Sequence, residues 1–343
     1  MSVTLSSSGA EFPRHRKRRA SLLITLDLHK HRELAACLSE SAEIFGQHRA
    51  HVTYLVPSAY VRIYDSLART LRYVRSLGHS VGCHGLNHTE EEDLRRLESK
   101  QEFALLREAT LILEDALGEP INAFRSPCYR ISNRTLPILE ELGYKVDLSV
   151  SPQHFPLFSS SLWSCGRMFS PRSPYHPSES SPYRRGSLKL LEIPTSCLLI
   201  PFAQASILSL PRMATGIMTK LLISEARRLG RVVVLQLHPE SVVGKDDWKY
   251  PPLVWKDFLP IQSGGIGLRY RLIERDPVKV RELTDSLLLR LRVTPELQPL
   301  SVDEFLAGVP GAGELAGKDE VNLGSDEVSC SRSQVGRAAQ SLP

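Results

Sequence analysis

Residues 21–29 read SLLITLDLH, a short apolar run that closes on Asp27 and His29. Its length and its β-branched and leucine content predict a strand, and its polar residues fall at the carboxyl end. The same pattern recurs along the chain. Strands are predicted at 21–27, 51–56 (HVTYLV), 79–84 (HSVGCH), 121–125 (INAFR), 144–149 (YKVDLS), 187–193 (SLKLLEI) and 231–237 (RVVVLQL). Helical periodicity fills the gaps at 31–45, 58–76, 89–117, 132–142, 212–229 and 276–292. Strands that alternate with helices imply a parallel sheet, and about seven such units make either a barrel or an open doubly wound sheet.

In both architectures chemistry gathers at the carboxyl ends of the strands. Asp27 and His29 end the first predicted strand, His84 the third, Arg125 the fourth and His238 the seventh. His84 and His88 are four residues apart, about one helical turn, so a turn or helix start there lets both face one ion. Imidazoles with a carboxylate suit zinc, cobalt, nickel or a similar divalent metal. Such an ion acidifies bound water and polarises a carbonyl, while a carboxylate and a histidine move the protons.

At 343 residues, with 43 basic and 38 acidic side chains, the chain has the composition of an ordinary globular protein and too little positive charge for nucleic acid to be its main partner. Six cysteines lie without CxxC pairing, and the start has no continuous apolar signal core, so unpaired thiols in a reducing cytoplasm are expected. The apolar stretch 189–211 contains Glu192, Pro194, Pro201 and Pro211, which excludes a transmembrane segment there.

The first 20 residues, with the basic run Arg14 to Arg19, are expected to be a flexible tail, with nuclear targeting or an anionic surface as the other reading; residues 308–343, rich in Gly, Ser and charge, read as a disordered tail. A single domain then spans 21–307. Within it, 149–185 and 239–272 are long irregular segments whose aromatic residues could wall a site.

The motifs ITLDLH (24–29), GHSVGCHGLNH (78–88), FRSPCYRISNRTLPILEELGYKVDLSV (124–150), LLEIPTS (190–196) and LQLHP (235–239), in this order, resemble the polysaccharide deacetylases of the NodB-homology, carbohydrate esterase family 4 type. HVTYLVP (51–57) is similar to the second strand of that family. The resemblance spans roughly 20–300 and implies a distorted (β/α) barrel of about seven strands. It also implies a metal-dependent hydrolase that removes N-acetyl groups from amino sugars, glycans or glycan precursors. By that resemblance Asp27 is the general base, His84 and His88 are metal ligands, Arg125 holds the base and His238 is the general acid, with a backbone N–H near 126–129 holding the oxyanion.

The chain departs from the family at Leu28, where many members carry a metal-binding aspartate. Some relatives place that carboxylate one residue later, and here the position holds His29. Strand alternation puts 27 and 29 on one face, so His29, His84 and His88 can form a three-histidine site, most readily for Zn2+, with Co2+, Ni2+ or Mn2+ as alternatives, leaving Asp27 as base. The competing readings are a catalytically inactive carbohydrate-binding barrel and an amidase acting on a non-sugar amide. Asp147 is expected to pair with Arg125 or His238 or to cap a helix, and Pro127 to support the site from outside it. Glu192 reads as structural, and His31, His48, His51, His154 and His176 as surface or core residues. Cys83 and Cys128 flank the centre and are expected at most to line its pocket.

Overall fold

The structure, a computed structural model, describes residues 19–152, 168–245, 273–274 and 276–308, with Trp255 and the short pieces 260–261 and 265–266. Among these, eight parallel strands share one sheet: β1 (Ala20–Asp27), β2 (Thr53–Val56), β3 (Ser80–Cys83), β4 (Ala123–Phe124), β5 (Val146–Asp147), β6 (Leu191–Glu192), β7 (Val233–Leu237) and β8 (Leu297–Leu300). The order is β7-β1-β2-β3-β4-β5-β6. β8 pairs with Ala20–Leu23 and β2 with Thr25–Asp27, so the two follow one another along the same edge of β1.

The sheet curls until its ends nearly meet. β6 and β7 form no ladder, yet the Ser196 N–H donates to the Val234 carbonyl at 3.3 Å, and the Val234 N–H donates to Ser196 Oγ at 2.9 Å. The Gln236 N–H reaches the Phe202 carbonyl at 3.1 Å. A side chain and a crossing segment thus replace part of the missing ladder, giving a distorted (β/α) barrel in place of the open sheet that periodicity alone allowed.

Alternation along the strands separates two apolar layers. Leu22, Ile24, Leu26 and Leu28 on β1 and its end, with Val233, Leu235 and Leu237 on β7, pack outward against helices such as Leu34–Gln47 and Arg212–Leu229. Leu23, Leu55, Ala123, Val146, Leu191 and Val234 fill the interior, joined by Val302 and Phe305 of the helix Val302–Gly308. Each such buried aliphatic side chain contributes roughly 1.5–3 kcal/mol of transfer free energy. The same helix closes the amino end of the barrel: its Asp303 carboxylate accepts from Arg75 and Asn122, and the Val302 N–H donates to Thr53 Oγ1.

Several expectations shift. The pattern at 89–117 begins as the 3-10 turn Glu90–Glu92 and becomes helix only at Ser99–Leu117, where Glu98 and Gln101 form a capping box. The 58–76 pattern splits into Tyr60–Ile63 and Leu67–Ser76. In the segment taken as irregular, Pro177–Ser178 and Ser181–Arg185 pair as a hairpin. β8 and the closing helix were not foreseen, because LQPL is too short and proline-broken to signal a strand. The expected tails at 1–18 and 309–343, most of 239–272, and His154, Cys165 and Cys330 lie outside the described residues.

Gly82, in the middle of β3, is fixed by space. A Cβ there would meet the Ala123 carbonyl at 2.7 Å and Leu55 Cδ2 at 2.8 Å. Gly82→Ala should therefore push β3 from β4 and cost roughly 1–3 kcal/mol, as overpacking does. Urea unfolding of the two proteins checks this, and equal midpoints would contradict it.

Candidate active site

Interior parity on the strands carries a polar cup at the carboxyl edge. Leu23, Thr25 and Asp27 point inward from β1, and Val234, Gln236 and His238 follow the same parity from β7. Arg125, directly after β4, is wholly buried. Its Nη1 donates to Asp27 Oδ1 at 2.7 Å and to Thr25 Oγ1 at 2.8 Å, while Nε donates to the Leu148 carbonyl at 3.0 Å. The second Asp27 oxygen accepts from Gln236 Nε2 at 3.1 Å. Burial by itself would raise the Asp27 carboxyl, but Arg125, with the His84 and His238 rings nearby, outweighs it and holds the group well below the usual carboxylate range.

His84, 2% exposed, has its Nδ1 2.8 Å from the Arg125 carbonyl, which makes Nδ1 the protonated nitrogen and leaves Nε2 as the lone-pair donor. His88 lies beside it, ring centroids 4.9 Å apart, and His29 stands 4.8 Å from His88 and 4.2 Å from His238. Burial, aided by neighbouring rings, pushes His84 down to about 3 and His88 and His238 to about 4, so all three are neutral at pH 7. Donor atoms of His29, His84 and His88 fall within 4.8 Å of one another, as do those of His29, His238 and Glu240. Three imidazoles facing one point, with His84 and His88 held neutral, form a donor set that fits a divalent transition metal.

The structure thus brings Asp27, His29, His84, His88, Arg125 and His238 to one cup, while Leu28 turns the other way and is fully buried in the outer layer. It corrects two readings. Residues 84–88 are not a helical turn: Gly85 has φ +75° and His88 φ +57°, and the loop is held by Glu92, which accepts from the Leu86, Asn87 and His88 N–H groups. Asp147 pairs with neither Arg125 nor His238 and caps no helix. It sits opposite Glu192 in the β5–β6 register and accepts from Ser149 Oγ at 2.6 Å, and burial raises both carboxyls, Glu192 further through its acidic neighbour. Of the N–H groups near 126–129, those of Ser126 and Tyr129 donate to Ser149 Oγ and the Ser126 carbonyl. Pro127 packs against Gly85 outside the cup. Cys83 is buried and Cys128 exposed.

Four residues of the cup escaped sequence reasoning. Thr25 and Gln236 sit two residues before Asp27 and His238, so strand alternation applied backward from those anchors would have found them. Glu240 follows the LQLHP motif, and its Oε1 lies 3.7 Å from both His29 Nδ1 and His238 Nδ1. Glu92 hides in the acidic run TEEED, where nothing distinguishes the buried glutamate from the exposed Glu90 and Glu91.

The fold and the cup define the class: an α/β barrel whose carboxyl edge gathers histidines around an arginine-held carboxylate. Residues 15–146 match the family model of the polysaccharide deacetylases. It is 24% identical over 113 residues to the peptidoglycan deacetylase of Helicobacter pylori, covering 33% of this chain and 36% of that protein. It is 31% identical over 107 residues to a peptidoglycan deacetylase-like protein of Gibberella zeae, covering 31% and 30%. The matches therefore span about a third of each curated relative. A solved structure from Mycobacterium smegmatis, assigned to the polysaccharide deacetylases, superposes with TM-score 0.51 at 15% identity over 87% of this chain and 92% of that one, a likeness of fold.

Two measurements follow from the cup. Held neutral in the fold, His84, His88 and His238 would titrate near 6.5 when exposed, so the unfolded chain binds more protons below that value. Their contribution to stability is complete above pH 6.5 and is lost as the pH falls toward 4. Urea midpoints of metal-free protein should drop between pH 7 and pH 4.5, and a rising midpoint would refute the assignment. Glu92→Ala strips three backbone N–H groups of their acceptor and should cost roughly 1–3 kcal/mol in the same assay at pH 7.5.

Proposed function

We propose that this chain is a metal-dependent hydrolase that removes an N-acetyl group from an amino-sugar unit of a glycan or glycan precursor. The observation that carries the reading is the meeting of an ionised, arginine-held Asp27 with three clustered imidazoles at the carboxyl edge of the barrel. The names of the curated relatives point to the same class of substrate.

In this reading His29, His84 and His88 hold the ion, zinc by preference for three imidazoles. When bound, the ion supplies Lewis acidity to the acetyl carbonyl and lowers the pKa of water. Asp27, ionised at any physiological pH and aimed by Arg125, is the group that would take the proton from the attacking water. The departing amine needs a proton in turn. His238, neutral at rest, partly open to the cup and within electrostatic reach of Asp27, is the ring that carries it. Gln236 and Thr25 keep Asp27 and Arg125 in register, so the carboxylate does not swing away. Buried free thiols at Cys37, Cys83 and Cys197 fit a reducing cytoplasm.

The test uses the tag-free chain reconstituted with zinc. Acetate release is measured from N-acetylglucosamine oligomers and from peptidoglycan fragments, beside bound metal by plasma mass spectrometry. Asp27→Asn and His238→Ala should each lower turnover by roughly 10²–10⁴-fold while zinc remains bound to the Asp27 variant. Chelation should abolish turnover and zinc restore it. Failure to release acetate from every N-acetylated glycan tried, or full activity in Asp27→Asn, would overturn the reading.

A further inference from the structure

Glu240 is unexplained by that chemistry. It is 7% exposed, its Oε1 is equidistant, at 3.7 Å, from His29 Nδ1 and His238 Nδ1, and its Oε2 has no hydrogen-bond partner. A distance of 3.7 Å is too long for a hydrogen bond. It lies just above the spacing of two donors on one cation, which stand roughly 3.3–3.6 Å apart when each is about 2.0–2.2 Å from the ion. A buried carboxylate oxygen without a partner is costly, and a cation is the partner that two imidazoles and a carboxylate would share.

We propose that His29, His238 and Glu240 form a second divalent-cation station beside the His29–His84–His88 one, and that filling it shuts the centre down. His29 turns Nδ1 toward Glu240, so its other nitrogen serves the first station. An ion in the second station occupies His238 Nδ1, the nitrogen beside Glu240, and holds the ring away from its role as proton source for the leaving amine. Excess zinc would then inhibit where the first equivalent activates. The inhibition rests on the function proposed above, whereas the station itself does not.

Isothermal titration of tag-free full-length protein with zinc chloride, and cobalt titration followed by visible absorption, decide the matter. Wild type should show two events. Glu240→Gln should weaken the second at least about tenfold and leave the first unchanged, which also reports that the variant folds. His238→Asn should do the same, and His84→Ala should weaken the first. In acetate release, the zinc concentration that inhibits wild type should rise by the same factor in Glu240→Gln. A single event in wild type, or a second event that survives in both Glu240→Gln and His238→Asn, would overturn the proposal. Absence of acetate release with two Glu240-dependent events present would overturn the hydrolase reading and leave the station standing.

Discussion

Arg125 is the residue on which the cup depends. From one fully buried position after β4 it reaches Thr25 and Asp27 on β1 and the Leu148 carbonyl after β5, while its own carbonyl fixes the His84 ring at the end of β3. Four strand ends are thereby tied to one arginine. A buried charge is tolerable only when paired and hydrogen-bonded, so Asp27 and Arg125 are mutually obligatory: removing either strands the other in the barrel interior. The pairing that stabilises the barrel also keeps Asp27 ionised.

Around that pair, the two-residue period of a strand sorts the chemistry. Asp27 and His29 share the inner side and Leu28 the outer, so the leucine at a position where many deacetylases carry a metal carboxylate is here an outer-layer residue. What takes its place in space comes from elsewhere in the chain. His29 faces His88 and His238, and Glu240 brings a carboxylate to the same region from the start of the helix Pro239–Val242.

The centre is also rigid where loops supply it. Gly85 adopts φ +75° and His88 φ +57°, conformations that most residues avoid, and the Glu92 carboxylate gathers three successive N–H groups to keep them there. On the far side Asp147 and Glu192 face each other in register and, with Ser149, hold the backbone at Ser126 and Val150. These acids shape the walls of the cup from outside it.

Most of the strands, their parallel direction and the five polar residues at their ends were legible in the chain, because local apolar runs and a fixed period of alternation are properties of neighbouring residues. The partnership of Asp27 with Arg125 was also legible, through family resemblance. The conformation of 84–88, the pairing of Asp147 with Glu192, the strand β8 and the arrival of Glu240 beside His29 were decided only by the tertiary structure. Each depends on residues distant in sequence that closure of the barrel brings within a few ångströms, and no local period encodes such contacts.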